Sequence, residues 1–311
     1  MDSTLMSSTS APHADCAAPR ASGSAATAAL LRELIEGEEL VVAPGVYDGI
    51  SAAVVEHSTS PLAYLTGAGV SASAVGLPDV GLTTMTEMVT QLAAIARVLS
   101  KPLIADADTG FGDVTNLYRT VIEYERLGVA GIQIEDQIFP KRCGHLDDKT
   151  VVDADEFTAK IRAAADARTD MLVIARTDAR AAYGLDEALR RAALYVDAGA
   201  DVIFVEAPET VDEIARIPRE VEAPVLFNLV PRGKTPEVTL SQLQDFGYAL
   251  VIAPAAGIGG AVRGITAALD ALGSGDVSGT GTASPHEFFT MLDLPFWQDL
   301  RATYASGDAR A

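Results

Sequence analysis

Two acidic residues separated by one alanine are the first feature of this sequence that could do chemistry. Asp106 and Asp108 follow an apolar run and precede Gly110, as in a tight turn. Mg²⁺ prefers oxygen ligands and needs only one or two carboxylates, because it keeps several of its waters. A single such pair could serve merely as a helix cap. Together with Asp79 and Glu135, which we expect at the same end of the fold, the pair predicts a metal site with the ligands Asp106, Asp108 and Glu135.

A thiol lies among cations in the segment Lys141-Arg142-Cys143-Gly144-His145. Nearby positive charge stabilises a thiolate, so we expect Cys143 to ionise easily and to act as a general acid, a general base or a nucleophile. Gly144 would let the segment bend over a substrate and exclude water. The alternative is a surface loop that carries an unreactive cysteine.

Arg176 is a candidate for binding an anion. A guanidinium fork matches a carboxylate with two parallel hydrogen bonds, which predicts a ligand of the carboxylate class. Asp178 follows only two residues later. The alternative is therefore a structural ion pair between Arg176 and Asp178.

The elements that must position these residues are eight short apolar runs separated by amphipathic stretches. The runs are typical of parallel strands buried on both faces, and they cover residues 40–44, 63–66, 103–106, 131–135, 171–176, 202–206, 225–228 and 249–254. Nearly all are followed by polar residues, namely Asp48, Thr66, Asp106 with Asp108, Glu135, Arg176, Glu206 and Asn228. Because strand ends build the active site of a (β/α)8 barrel, this ring predicts an α/β fold of the TIM-barrel type. The alternative is an open doubly wound sheet, but no G-x-G-x-x-G follows the first run.

The charge of the chain limits its partners. Among 311 residues, 23 Lys and Arg against 43 Asp and Glu give a formal net charge of −20. This charge repels phosphates and anionic lipid headgroups, so we expect neither nucleic acid nor a membrane as a partner. The sequence contains no uninterrupted apolar stretch of about 18 residues, so we expect no membrane span. The two cysteines form no disulfide framework and residues 1–28 lack a secretory pattern, so we expect a reducing, cytoplasmic location.

The pattern predicts four parts: a disordered tail over 1–28, the barrel over 29–272, a linker over 273–284 and a helical extension over 285–311. The extension carries the only tryptophan, Trp297, and three of the nine phenylalanines. So much aromatic surface must be buried somewhere. We expect the terminal helix to be swapped onto a neighbouring subunit, and the alternative is packing on its own barrel.

Six motifs in this order resemble the isocitrate lyase/phosphoenolpyruvate mutase superfamily over about residues 31–304. They are Thr66-Gly67-Ala68-Gly69, Gly76-Leu77-Pro78-Asp79, Asp106-Ala107-Asp108-Thr109-Gly110-Phe111-Gly112, Glu135-Asp136-Gln137, Lys141-Arg142-Cys143-Gly144-His145 and Ala175-Arg176-Thr177-Asp178-Ala179. The resemblance implies a (β/α)8 barrel whose last helix is swapped, usually in a homotetramer. It also implies Mg²⁺ as the cofactor, with Mn²⁺ as a substitute.

Within this family the 141–145 segment resembles the lyase branch, such as 2-methylisocitrate lyase and dimethylmalate lyase. That branch implies cleavage of a 2-hydroxy dicarboxylate into a 2-oxo acid, such as pyruvate, and a second carboxylate. Cys143 would protonate the leaving fragment, with Lys141, Arg142 and His145 positioning the thiol, and Arg176 would bind the oxo-acid end. The implied substrate-binding residues are Tyr64, Thr66, Gly67, Ala68, Asp79, Gly144, Glu206, Asn228 and Pro254.

Departures from the family pattern narrow the prediction. Leu146 replaces the arginine of methylisocitrate lyases, which favours shorter 2-alkylmalates, and Pro254 replaces the serine of oxaloacetate hydrolases. The C-G-H-L segment and the later G-K-T-P at 233–236 resemble carboxyphosphonoenolpyruvate phosphonomutase, so an enzyme that forms a P–C bond is the alternative. A catalytically silent scaffold is the other alternative, and the intact set of acidic, cationic and thiol groups argues against it.

Overall fold

The chain folds around a closed barrel of eight parallel strands, in the order β1 to β8 with β8 paired to β1. This computed structural model describes residues 24–144, 149–278, 281 and 283–305. The strands are β1 Val41–Val46, β2 Ala63–Leu65, β3 Leu103–Asp106, β4 Gly131–Glu135, β5 Leu172–Thr177, β6 Val202–Val205, β7 Val225–Asn228 and β8 Leu250–Ala253. Each overlaps one of the predicted runs, and the predicted TIM barrel is confirmed.

Helices follow each strand. They are α1 Ser24–Glu36, α2 Gly49–Glu56, α3 Gly67–Val70, α4 Met85–Ile95, α5 Val114–Arg126, α6 Ala154–Ala167, α7 Ala179–Tyr183, α8 Leu185–Asp197, α9 Val211–Glu220, α10 Leu240–Phe246, α11 Ala255–Gly273, α12 Pro285–Thr290 and α13 Leu294–Ala305. A π-helical turn, Ser71–Val75, continues α3. Helix α1 begins inside the segment predicted as a tail and buries Thr27 and Ala28.

Alternate residues of each strand face opposite sides of the barrel wall, which explains why the runs are apolar throughout. In β5, Ile174 belongs to a cluster made only of residues from the strands, their flanks and α1, whereas Val173 and Ala175 belong to a cluster shared with the surrounding helices. The first cluster therefore fills the barrel. Leu31 and Ile35 of α1 join it, so α1 closes one end of the barrel.

The register of the sheet brings candidate residues together at the other end. Asp106 pairs with Gln133 across β3 and β4, and Glu135 pairs with Arg176 across β4 and β5. Because neighbouring strands are in register, side chains far apart in sequence become neighbours at the carboxyl ends. Asp48 has a different role from the rest of the predicted ring, because its carboxylate accepts from the Ser51 N–H at 2.7 Å and caps α2.

Helix α11 has an apolar stripe that its own barrel does not cover. None of its 19 residues, all of them described, is buried. Val262, Ile265, Leu269 and Leu272 are 53–61% exposed, and their spacing of three, four and three residues places them on one side of the helix.

The chain divides into two units, and the barrel lies in Ala21–Thr282. The described residues of the other unit, 283–305, form α12 and α13, in which Phe296 and Trp297 pack edge to face at 5.2 Å between ring centroids. Among the described residues, no helix combines the length and the apolar character that crossing a membrane requires.

Candidate active site

The predicted acidic pair lies at the carboxyl end of β3 and is buried. Asp108 has a φ of 49°, a left-handed conformation that non-glycine residues adopt rarely and that is common at functional sites. Its N–H donates to Asp106 Oδ1 at 3.0 Å, and the Gly67 N–H donates to Asp106 Oδ2 at 3.2 Å. The two carboxylates are thereby fixed relative to each other. The Gly67 N–H, expected to hold a substrate carboxylate, is used within the protein instead.

Lys141 joins the acidic pair rather than the thiol. Its ammonium lies 2.8 Å from Asp108 Oδ1 and also contacts the Asp79 carboxylate. Burial lowers the pKa of Lys141, but Asp108, Glu135 and Asp79 outweigh that effect and hold the pKa well above its usual value. Lys141 is therefore a charged member of the acidic site, whereas we had expected it to position Cys143.

Arg176 lies among three carboxylates. Asp178 accepts from Arg176 Nε at 2.9 Å and from NH2 at 3.0 Å, and Glu135 Oε2 lies 3.2 Å from NH1. Glu206 Oε2 lies 3.9 Å from Nε. The alternative interpretation, an ion pair with Asp178, is therefore present in the structure. Arg176 nevertheless lines the cavity described below, as a ligand-binding arginine must.

Two carboxylates of this site resist ionisation because they are buried. Burial raises the pKa of Asp108 to about 7, and Lys141 offsets only part of that rise. Burial also raises the pKa of Glu135 well above its usual value, against the opposing effect of Arg176. Glu135 Oε1 is buried and has no hydrogen-bond partner among the described residues. A divalent cation would stabilise the ionised form of both groups.

The arrangement fits an ion that is held partly through water. Among the described residues, no three His, Cys, Asp or Glu side chains form a ready metal cage. Mg²⁺ does not need one, because it binds through one or two carboxylates and keeps several waters. A set in which Asp108 binds the ion and Asp106 and Glu135 act partly through water would meet that requirement.

The thiol segment passes directly over the charged residues. The Cys143 N–H donates to the Asp79 carbonyl oxygen at 3.2 Å, and the Cys143 side chain is half-buried. Gly144 is buried so tightly that a Cβ there would lie 2.1 Å from Glu206 Oε1 and 2.6 Å from Arg176 NH2. Only glycine permits this approach. His145, predicted to position the thiol, lies outside the described residues.

Arg142 is exposed, and its backbone is held by a glutamine. Its N–H donates to Gln137 Oε1 at 2.9 Å, and its carbonyl oxygen accepts from Gln137 Nε2 at 2.8 Å. Gln137 therefore fixes the backbone next to Cys143. The role predicted for the Arg142 side chain stays a prediction.

The predicted binding residues at the other strand ends are polar groups on one rim. The Tyr64 hydroxyl donates to Gln133 Oε1 at 3.0 Å, and Asn228 Nδ2 donates to Glu206 Oε2 at 3.3 Å. Within residues 24–144, 149–278, 281 and 283–305, the buried Asn228 Oδ1 has no hydrogen-bond partner. Thr66 accepts from the Gly69 N–H at 3.1 Å and caps α3, so its hydroxyl has a structural role.

These groups surround a cavity of about 240 Å³ at the carboxyl end of the barrel. One side is charged and the other is apolar. The lining residues are Tyr64, Thr66, Ala68, Gly69, Ala72, Asp79, Asp106, Lys141, Cys143, Gly144, Arg176, Asn228, Val230, Ile252, Pro254, Ala255 and Ile258. A larger cavity, about 630 Å³, lies between α1 and residues 168–170 and contains none of the predicted site residues.

Sequence reasoning missed some polar residues of the site. Gln133 donates to Asp106 Oδ1 at 3.4 Å, and the signal for it was an amide in the middle of an otherwise apolar run. Lys149 binds the Asp178 carboxylate at 2.7 Å, and nothing in its sequence context indicated burial. Asp136, noted only as part of a motif, accepts from Thr177 Oγ1 at 2.7 Å below the site.

A cavity with buried carboxylates, an arginine and a thiol, at the carboxyl end of a (β/α)8 barrel, defines a barrel enzyme that acts on small anionic molecules. The chain belongs to the phosphoenolpyruvate mutase/isocitrate lyase superfamily. A family model described as phosphoenolpyruvate phosphomutase matches residues 31–272.

Two curated relatives are lyases. The chain is 43% identical to 2,3-dimethylmalate lyase of Eubacterium barkeri over 286 residues, which cover 90% of this chain and 99% of the relative. It is 48% identical to 2-methylisocitrate lyase of Aeropyrum pernix over 225 residues, 72% of this chain and 73% of the relative. The relatives confirm the predicted family and the predicted class of enzyme, a carbon–carbon lyase.

Solved structures support the same family assignment. A crystal structure of 2,3-dimethylmalate lyase superposes with a TM-score of 0.84 at 37% identity, covering 89% of this chain and 95% of that one. A phosphonopyruvate hydrolase in complex with oxalate and Mg²⁺ superposes with a TM-score of 0.77 at 30% identity, covering 90% and 98%.

Proposed function

We propose that the protein is a Mg²⁺-dependent lyase that cleaves a 2-alkylmalate into a 2-oxo acid and a second carboxylate. One observation carries the proposal: Asp106, Arg176 and Cys143 line the same cavity. A carbon–carbon cleavage of this type needs an electrophilic end that binds the oxo acid and a proton donor for the other fragment. The acidic residues with Arg176 would supply the first function, and Cys143 would supply the second.

The metal would be held by Asp108, with Asp106 and Glu135 acting partly through water. When bound, Mg²⁺ supplies Lewis-acid stabilisation of the negative charge that develops on the substrate hydroxyl oxygen. The superposing structure of phosphonopyruvate hydrolase was solved in complex with oxalate and Mg²⁺, which supports the choice of this ion. Mn²⁺, with similar oxygen preference, is the expected substitute.

The side chains of the protein would carry the remaining steps. Arg176 binds the carboxylate of the oxo-acid end, for which it must exchange part of its contact with the neighbouring carboxylates. The hydroxyl passes its proton to a carboxylate of the acidic site, the bond between the hydroxyl-bearing carbon and its neighbour breaks, and the hydroxyl oxygen becomes the carbonyl oxygen. The electron pair goes to the other fragment, an enolate, whose carbon takes a proton from the Cys143 thiol. The proton from the hydroxyl returns through solvent to the Cys143 thiolate after the reaction. Asn228 and Glu206 orient that fragment.

The apolar side of the cavity supports a short alkylated substrate. Val230, Ile252, Pro254 and Ile258 form this side. A further carboxylate placed there would lose its water without gaining a cation, which is costly, whereas a methyl group would be stabilised. This favours a 2-alkylmalate over a tricarboxylate. The full-length similarity to 2,3-dimethylmalate lyase supports the same choice and gives less support to the phosphonomutase alternative.

We also propose a homotetramer in which a C-terminal helix is swapped between subunits. The exposed apolar stripe of α11 supports the association, because a contiguous apolar surface of this kind is normally covered. The aromatic residues of α12 and α13 add to the surface that a partner subunit would cover. A cytoplasmic location is proposed with it, since two cysteines in 311 residues provide no disulfide framework.

A substrate panel tests the proposal. The enzyme is given six compounds separately with Mg²⁺: malate, 2-methylmalate, 2,3-dimethylmalate, 2-methylisocitrate, oxaloacetate and a carboxylated phosphonoenolpyruvate. Release of oxo acid is followed with lactate dehydrogenase. Oxalate and the phosphonate product are measured directly. The proposal expects the highest kcat/KM for a 2-alkylmalate. Preferred turnover of the phosphonate or of oxaloacetate would reject it in favour of the corresponding alternative.

A further inference from the structure

Lys149 is a buried cation that the function proposed above does not use. Its side chain is only 2% exposed. The ammonium donates to the Gly144 carbonyl oxygen at 2.6 Å and to Asp178 Oδ1 at 2.7 Å. A buried ammonium is costly unless it is paired, so these two contacts decide where Lys149 lies.

Asp178 connects Lys149 to the substrate-binding arginine. The same carboxylate that binds Lys149 accepts from Nε and NH2 of Arg176 at 2.9 and 3.0 Å. Burial raises the pKa of Asp178, but Arg176 and Lys149 together lower it to about 2. The carboxylate is therefore ionised at neutral pH and bridges two cations. A continuous chain of contacts runs from Gly144 through Lys149 and Asp178 to Arg176.

Gly144 also lies directly against Arg176, the residue at the other end of this chain of contacts. Its backbone lies so close to Arg176 that a Cβ would come within 2.6 Å of NH2. Lys149 holds the carbonyl oxygen of the same residue. The peptide that follows Cys143 is therefore held between Arg176 and the Lys149 ammonium.

We propose that Lys149 is a positioning residue, which fixes Gly144 and thereby holds the Cys143 thiol at a set distance from Arg176. This inference rests on the proposed function, in which Arg176 binds one product end and Cys143 protonates the other. Lys149 touches neither substrate nor reacting atoms in that scheme. Its effect on the reaction comes from geometry, and misplacing a reacting group by about 1 Å can cost about 10²-fold in rate.

The test compares Lys149→Met, which keeps the length and removes the charge, with Lys149→Arg, which keeps the charge. Lys101→Met is the matched control, because the Lys101 ammonium likewise donates to two oxygen atoms, both of them backbone carbonyls, but precedes β3 at the opposite end of the barrel. All variants carry Cys16→Ser, so that alkylation by iodoacetamide reports Cys143 alone. Circular dichroism melting curves show whether each variant folds.

Lys149→Met should lower kcat about 10²-fold with a smaller change in KM, and it should raise the alkylation rate of Cys143 at least several-fold. Lys149→Arg should restore part of the lost kcat and part of the protection of Cys143 against alkylation. Unchanged alkylation in folded Lys149→Met would overturn the proposal, and so would equal effects of Met and Arg on kcat. If Lys149→Met does not fold, Lys149→Gln, which removes the charge but retains a hydrogen-bond donor, is judged by the same two readouts. The alkylation arm needs no turnover, so it still tests the positioning role if the proposed activity fails.

Discussion

Glu135 Oε2 lies 3.2 Å from Arg176 Nη1, whereas Glu135 Oε1 is buried and has no hydrogen-bond partner in the part of the chain that the structure describes. One carboxylate thus faces Arg176, the proposed substrate-binding arginine, with one oxygen and has the other available to a ligand. This asymmetry connects the proposed metal site to the proposed oxo-acid site, because a group bound at Oε1 would lie beside whatever Arg176 holds.

Glu135→Gln should abolish the rise in melting temperature that Mg²⁺ gives to the wild type. A ligand that binds only the folded state stabilises it, by about 2.7 kcal/mol at 100 times Kd, and the amide lacks the charge that favours the ion. Without Mg²⁺ the melting temperature should change little, since burial already opposes ionisation of Glu135. Differential scanning calorimetry with and without Mg²⁺ measures this. Glu222→Gln, an exposed residue, is the control, and an intact Mg²⁺ response in Glu135→Gln would contradict the ligand assignment.

Cys143→Ala should lower kcat by at least about 10²-fold, the usual contribution of a positioned acid. Binding of pyruvate or oxalate with Mg²⁺ should stay within about twofold of wild type, because Cys143 is not among the residues proposed to hold the ion or the oxo acid. Stopped-flow turnover and isothermal titration calorimetry measure the two effects separately. Cys16→Ala should be indistinguishable from wild type, and equal turnover in Cys143→Ala would remove the thiol from the mechanism.

The barrel and its polar rim could be predicted because local sequence encodes both. Strands buried on both faces are apolar at successive positions, and the residue that ends each strand, such as Glu135 or Arg176, must then lie at the barrel mouth. The exception shows the limit of the rule. Asp48 also follows a strand, but Ser51 three residues later makes it a helix cap.

Contacts between loops could not be predicted in the same way. Lys141 stands next to Arg142 and Cys143 in sequence, yet its ammonium contacts Asp79 and Asp108. The direction of a side chain in an irregular segment depends on the surrounding fold and not on its neighbours in sequence. The burial of Lys149 has the same origin, since its partner Asp178 is 29 residues away.

Glu125→Gln should reduce stability at pH 7 by about 1–2 kcal/mol, as loss of hydrogen bonds to a charged group does. Burial alone would raise the pKa of Glu125, but the N–H groups of Asp170, Met171 and Thr169 lower it below 4.5. Because the folded-state pKa lies below the unfolded one, the ionised group stabilises the fold above about pH 4.5 and stops doing so as the pH falls through the folded value.

Urea unfolding at about pH 7 and about pH 3 measures this difference. The difference in free energy of unfolding between wild type and Glu125→Gln should be smaller at the lower pH. For Glu123→Gln on the same helix, this difference should change little with pH. A gap that widens in acid would show that the backbone contacts of Glu125 do not favour its ionised form.

Leu269→Glu should dissociate the proposed oligomer, because it places a charge in the centre of the exposed apolar stripe of α11. Ala267→Glu, on the opposite side of the same helix, is the matched control. Size-exclusion chromatography with light scattering gives the mass of each variant. A wild-type protein that is monomeric at micromolar concentration would reject the oligomer, and an unchanged mass for Leu269→Glu would place the interface elsewhere.

The most direct test of the central claim, that one cavity joins a Mg²⁺-assisted oxo-acid site to a proton-donating thiol, is the fate of 2,3-dimethylmalate in D₂O. The account predicts one pyruvate and one propionate for each molecule consumed, a single deuterium at carbon 2 of the propionate, and no products after removal of Mg²⁺ with EDTA. Products that form equally well without a divalent ion, or in Cys143→Ala at the wild-type rate, would contradict it.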